Sequence, residues 1–267
     1  MKSCNLEIDP YGVASFTLNR PEVGNALDES LITEANACLE ELDQDPRVRV
    51  VQFTANGENF CAGADIRWLR ACTAQGSAAV CNMGDLLADF MRRVHDLSKP
   101  TIALAKGAAY GGGAGLLACC DIVLAASHAR FCFSEVRFGL IPATISPYVI
   151  RAIGERAARR YFLSARKFSA KEAYRIGLVH ELMPESELSQ AANQIAHSVI
   201  LGGPEALKRT KELVDMVACR ALDPALTRDT SGWIAELVES PEGREGIEAF
   251  LEKRKPAWVR EDQARAD

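Results

Sequence analysis

The order of apolar patterns along the chain constrains its fold more than any single motif does. Runs rich in β-branched and apolar residues at 13–18, 48–54 and 101–105 read as strands. Pro21 follows the first, since proline cannot extend a ladder. Asp28 then stands as the N-cap of a helix that repeats Leu31, Ala35, Leu39 and Leu42 on one face, up to the break at Asp45-Pro46. Asp65 caps a short helix through Leu69, a longer helix covers 78–97, and Lys99-Pro100 stops it. Gly111-Gly112-Gly113 opens an apolar helix to about Cys119, and 122–125 and 130–133 are further short strands. Strands alternating with helices predict βα units and an α/β fold. After Pro142 the pattern turns helical, at 147–153, 155–163, 170–176, 187–200, 204–217, 226–237 and 241–252, with one strand at 178–182. The Gly202-Gly203-Pro204 break divides a core of residues 1–200 from a helical C-terminal part of residues 201–267.

Composition narrows the function classes. A chain of 267 residues, 48% hydrophobic, suffices for one large domain with a small appendage. Its 31 basic and 36 acidic residues leave a net charge of −5, which gives no electrostatic reason to bind nucleic acid. Gly, Lys or Asp interrupts every apolar run before it can span a bilayer, so no membrane role is expected. The N-terminus has no apolar signal core, and several of the nine cysteines lie in apolar runs. Reduced thiols and a cytoplasmic location are the expectation. His95, His128, His180 and His197 lack ligand spacing and no Cys-x-x-Cys occurs, so no metal site is expected.

Two turns carry the chemistry. Cys61-Ala62-Gly63-Ala64-Asp65-Ile66 follows a strand, and its small residues let a ligand approach the backbone. Tyr110-Gly111-Gly112-Gly113-Ala114-Gly115 joins a strand to an apolar helix. Helix starts leave N–H groups free and carry positive potential. Two such turns on adjacent βα units can aim two N–H donors at one oxygen, an oxyanion hole. Either turn alone also reads as a packing device or a simple capped helix start. A dinucleotide fingerprint fits poorly, because counted from Gly111 its third glycine falls on Leu116.

The ordered pieces Thr17 to Pro21, Asn25-Ala26-Leu27, Phe60 to Ile66, Lys99-Pro100, Gly111-Gly112-Gly113, Cys120-Asp121-Ile122, Phe131 to Glu135, Gly139 to Pro142 and Phe250 to Pro256 resemble the enoyl-CoA hydratase/isomerase (crotonase) superfamily over nearly the whole chain. That resemblance implies a spiral of ββα turns with two roughly perpendicular sheets. It also implies a C-terminal helical region that trimerises, as a homotrimer or a dimer of trimers. It implies an acyl-CoA substrate, whose CoA is carried by the substrate, so no separate cofactor is expected. The implied oxyanion donors are the N–H groups of Ala64 and Gly112. Ala62 and Ala64 would meet the adenine, and Ala26, Asp65 and Ile66 lie along the CoA path. Lys255 resembles a lysine that reaches CoA phosphate; from spacing alone Lys253, Arg254 and Lys255 read as a solvated helix end.

The acid–base residues depart from the family pattern. Hydratases of the family usually carry two glutamates, one of them two residues past the last glycine of the triplet. Here that position is Gly115; the other is Glu135. Glu135 lies among Phe131, Phe133, Val136 and Phe138, and apolar surroundings raise a carboxyl pKa. An exposed Glu, or one paired with Arg137, is the plainer reading without the resemblance. The segment Ile145-Ser146-Pro147-Tyr148, with Arg151 to Arg156, resembles bacterial methylglutaconyl-CoA hydratases and relatives acting on carboxylated geranoyl-CoA. A carboxylated substrate could pair with Arg67 or Arg137; either also reads as a plain surface arginine. Double-bond isomerisation, decarboxylation, or a catalytically idle acyl-CoA- or RNA-binding relative are the competing readings.

Overall fold

The computed structural model describes residues 2–260. The elements are β1 (Cys4–Ile8), β2 (Val13–Leu18), α1 (Glu29–Gln44), β3 (Val50–Ala55), α2 (Ile66–Gln75), α3 (Ser77–Asp96), β4 (Thr101–Ala105), β5 (Ala108–Tyr110), α4 (Gly112–Cys119), β6 (Ile122–Ala126) and β7 (Arg130–Cys132). There follow α5 (Ser146–Ser164), β8 (Phe168–Ser169), α6 (Ala170–Arg175), β9 (Glu181–Met183), α7 (Leu188–Ile200), α8 (Pro204–Ala218), α9 (Pro224–Glu239) and α10 (Pro241–Leu251).

Six strands form one sheet in the order β1-β2-β3-β4-β6-β9, parallel except for the β1 edge. Its central strands are apolar at nearly every position because both faces are covered. Val13, Val50, Ile102, Leu104 and Leu124 pack under Leu188, Ala192, Ala196 and Ile200 of α7. The alternate residues, among them Ala14, Phe16, Val51, Phe53, Ala103 and Val123, face the main core with α1, α3 and α4. One polar exception, Gln52, is buried and donates to Asn193 Oδ1 on α7 at 3.0 Å.

β5, β7 and β8 make a second, smaller sheet. Isolated bridges carry its pairing further, from Ala109 to Cys61 and from Ala64 to Leu27. Successive segments thus leave one strand in the large sheet and one strand or bridge in the second. This is the expected spiral of ββα turns, and both chemical turns lie along the second sheet.

Several boundaries differ from the sequence reading. α2 continues past Leu69 to Gln75 and ends at Gly76, whose φ of 100° no side chain tolerates well. By contrast, the division expected between helices at 147–153 and 155–163 holds: Gly154, at φ 74° and ψ 159°, leaves helical geometry inside α5 and separates two helical stretches. The strand near 178–182 is confined to Glu181–Met183, because Leu178 and Val179 close a turn onto the Ala173 carbonyl. β1, β5 and β8 form without having been predicted. No helix among the described residues is long and apolar enough to cross a membrane.

Candidate functional site

The first turn is held from beneath by Asn25. Its φ of 57° lies in the left-handed region, which Asn adopts more readily than most residues. Its buried amide donates to the carbonyls of Asn56 and Asn59, both at 2.9 Å, and accepts from the Arg20 N–H at 2.8 Å. That one side chain ties residues 25–27 to the loop entering Phe60. Backbone bonds then run Ala62 N–H to Gly24, Leu27 N–H to Gly63 and Asp65 N–H to Leu27. Asp65 caps α2 by accepting from the Arg67 N–H at 2.9 Å. Arg20 closes the base, 2.8 Å from Asp28 and 3.5 Å from Asp65.

The second turn presses against the first. A methyl on Gly113 would overlap the Cys61 carbonyl and lie 2.7 Å from its Cβ, so position 113 admits only glycine without backbone movement. A methyl on Gly63 would come within 3.4 Å of the Gly112 nitrogen, and one on Gly112 within 3.8 Å of the Ala64 nitrogen. The two named donors are therefore neighbours. Among the described residues neither N–H has a protein acceptor. Ala64 leaves its N–H out of the Leu27 bridge, and Gly112 is the first residue of α4, where no intrahelical acceptor exists. Two unspent donors beside a buried helix start suit an oxygen that gathers negative charge.

Glu135 opens a 3-10 turn directly after β7. Its Oε1 would lie 3.1 Å from a methyl on Gly111, so the carboxylate rests on that bare Cα. Its Oε2 is buried without a hydrogen-bond partner, and no ion pair to Arg137 forms. Burial raises its pKa above the ordinary carboxyl value, offset only in part by its own N–H. The consequence for stability has a definite sign. The contribution of this group is complete below the unfolded value and is lost as pH rises through the raised folded value. Base-dependent turnover moves the other way. We expect kcat/KM to rise with pH through a midpoint above 4.5, the reference for a free Glu. A pH–rate profile checks this, and a midpoint at or below that value contradicts it.

Beside Gly115 the structure holds Ile145, a residue to which the sequence reading gave no role. A methyl on Gly115 would overlap Ile145 Cγ2 and lie 2.6 Å from its Cβ. Ile145 is buried at the entry to α5. The gap in the carboxylate pattern is thus filled by hydrocarbon.

The remaining candidates divide. Ala26, Ala62, Ala64, Asp65 and Ile66 gather around the first turn; Ala26 is buried, whereas Ala62 and Ile66 are exposed. Lys255 lies four residues past the end of α10. Its segment is tied elsewhere, through Arg254 and the Ala257 N–H to Glu245, and through Trp258 to Leu201 and Arg49. Trp233 stacks beneath Arg209 within the chain. Arg67 and Arg137 are both exposed. Cys119 and Cys120 are buried, and burial pushes both thiols up. Cys61, inside the first turn, is pushed up to about 12 by burial, which leaves it a protonated packing residue rather than a nucleophile. Among the described residues, no three His, Cys, Asp or Glu side chains are grouped to hold a metal ion.

Comparison with known proteins agrees with this geometry. The sequence pattern of the enoyl-CoA hydratase/isomerase family matches residues 9–261. A short-chain-enoyl-CoA hydratase of Clostridium acetobutylicum is 34% identical, with 96% of this chain and 97% of that one covered. A mevalonyl-coenzyme A hydratase of Aspergillus fumigatus is 32% identical, with 97% and 95% covered. The crystal structure of an enoyl-CoA hydratase from Shewanella pealeana superposes with a TM-score of 0.93 at 38% identity, covering 96% of each chain. Two unspent donors on facing turns, a desolvated glutamate against the glycine run, and similarity along almost the whole length lead to one conclusion: the chain belongs to the enoyl-CoA hydratase/isomerase (crotonase) family.

Proposed function

We propose that this enzyme adds water across the double bond of a β-branched, carboxylated 2-enoyl-CoA such as 3-methylglutaconyl-CoA, with Glu135 as its one protein carboxylate. The observation that carries the reading is the buried, unpartnered Oε2 of Glu135 beside the donor-bearing glycine turn. The thioester oxygen accepts from the Ala64 and Gly112 N–H groups. Glu135 takes a proton from water as its oxygen bonds to the β-carbon. The π electrons move toward the thioester oxygen as an enolate. The protonated Glu135 then gives that proton to the α-carbon, so H and OH are both accounted for. Donors aimed at the developing charge are worth most in such a step.

The branched substrate draws support from the Aspergillus relative, whose name specifies a mevalonyl chain, branched at its β-carbon. CoA is part of the substrate, and the Ala26, Ala62 and Ile66 strip is the surface proposed for its passage. Subunit contact is assigned to the C-terminal helices. Ile234 and Val238 of α9 and Ile247, Phe250 and Leu251 of α10 are all exposed, Phe250 by 83%. Ile145 favours a second reading, double-bond isomerisation, because one carboxylate suffices to move a proton between carbons. Single-turnover assays with 3-methylglutaconyl-CoA, crotonyl-CoA and a 3-enoyl-CoA separate the two. Reaction of the 3-enoyl substrate alone rules out hydration.

A further inference from the structure

Gly111 and Gly115 stand one helical turn apart, joined by a 3.0 Å bond from the Gly115 N–H to the Gly111 carbonyl. A turn is about 5.4 Å long. Each bare Cα receives a side chain from elsewhere in the fold. Glu135 occupies the space at Gly111, and Ile145 occupies the space at Gly115. The acid and the hydrocarbon therefore meet the chain at the N-cap and in the first turn of α4, on either side of the Gly112 donor in sequence.

A water attacking from Glu135 donates one O–H to that carboxylate. Its other O–H needs a second acceptor, and on the Ile145 side it meets only carbon. A hydrogen bond missing in a buried site slows a step that depends on it by about tenfold. Proton transfer at the α-carbon uses no second water bond and escapes the penalty.

We propose that Ile145, by filling the Gly115 notch, is a specificity-determining residue. It holds the site to one carboxylate, so α-proton transfer outruns water addition on acyl chains that bring no polar group of their own. The substrates favoured for hydration are then those whose own carboxylate supplies the missing acceptor. This inference rests on the role given to Glu135 above.

The test compares three variants with the wild-type enzyme. Two readouts are used: hydration of crotonyl-CoA, and exchange of the α-proton of butyryl-CoA in D2O followed by mass. The double change Gly115→Glu with Ile145→Gly opens the notch and installs a carboxylate. It is expected to raise the ratio of hydration to exchange by about tenfold or more. Ile145→Gly alone should fall well short of that. Ile145→Thr is smaller by the terminal methyl and puts a hydroxyl in place of Cγ1 in the same space. It should shift the ratio in the same direction, and it serves if the double variant does not fold. An unchanged ratio in a folded double variant, or in Ile145→Thr, overturns the proposal. So does a single Ile145→Gly variant that matches the double one. A wild-type enzyme that exchanges no α-proton brings down the Glu135 reading along with this one. Exchange with an unmoved ratio brings down this one alone.

Discussion

Glu135→Gln is expected to reduce kcat for water addition about a thousandfold, within the range that a positioned acid–base group contributes. That corresponds to about 4 kcal/mol of barrier. Acyl-CoA binding stays within a few-fold, because Gln matches the shape of Glu and the donors at Ala64 and Gly112 are untouched. The effect therefore falls on kcat and not on KM. The same substitution relieves a buried carboxylate that has no hydrogen-bond partner for Oε2. The variant should be more stable than the wild type at neutral pH, and the difference should shrink as pH falls and the wild-type group is protonated. Single-turnover kinetics, titration with butyryl-CoA and melting curves at two pH values check all three points. Wild-type turnover in the variant removes Glu135 from the chemistry. Lost binding with intact turnover per bound complex would recast it as a binding group.

Gly112→Pro is the second large effect, a loss of 10²–10³ in kcat, about that of removing one oxyanion donor. Proline at the first position of a helix is tolerated, because no intrahelical acceptor exists for its N–H. The substitution deletes the donor while α4 keeps its internal bonds. Bulk must be separated from chemistry. A methyl at this position would sit 3.1 Å from Leu27 Cδ1, the end of a flexible side chain. Gly112→Ala therefore carries the bulk and retains the N–H. Gly112→Ala controls for the added Cβ, while the proline ring also places Cδ where the N–H pointed, so the Pro variant reports loss of the donor together with exclusion of the oxygen from its place; equal rates for the two would mean that the thioester oxygen does not sit at the Gly112 N–H.

What was legible beforehand had local causes. The α1 stripe of Leu31, Ala35, Leu39 and Leu42 is buried as its period demands, and Asp28 caps it by accepting from the Leu31 N–H. The inner strands β2, β3, β4 and β6 of the large sheet were readable because strands covered on both faces are apolar at nearly every position, whereas its β1 edge was not. Of the second sheet only β7 was readable. Ala108-Ala109-Tyr110 has little strand preference of its own; it becomes extended by pairing with β7 and Cys61, segments far off in sequence. The same holds at the site. The Gly111–Gly113 run announced a close approach, but only the fold shows that Cys61 is what approaches. Asn25 was visible as part of a motif, while its three hydrogen bonds to backbone partners depend on a left-handed φ that no periodicity reports. Ile145 lies thirty positions from the glycine whose notch it fills, and nothing in either local pattern links them. Lys255 was carried by resemblance alone, and its local neighbours are Arg254 and Glu245.

The notch at Gly115 also bears on the order in which this lineage can change. A Glu arriving first at position 115 overlaps Ile145 and is expected to destabilise the chain. A small residue arriving first at position 145 leaves a cavity, which a buried site survives at a loss of some 1–4 kcal/mol. Only then is the larger residue at 115 admissible, and the two effects are far from additive because the atoms touch. Conversion between one-carboxylate and two-carboxylate sites on this scaffold is thus expected to pass, in either direction, through a small residue at both positions. Chimeras that exchange the α4 segment between such relatives, without the residue preceding α5, are expected to fail for that reason.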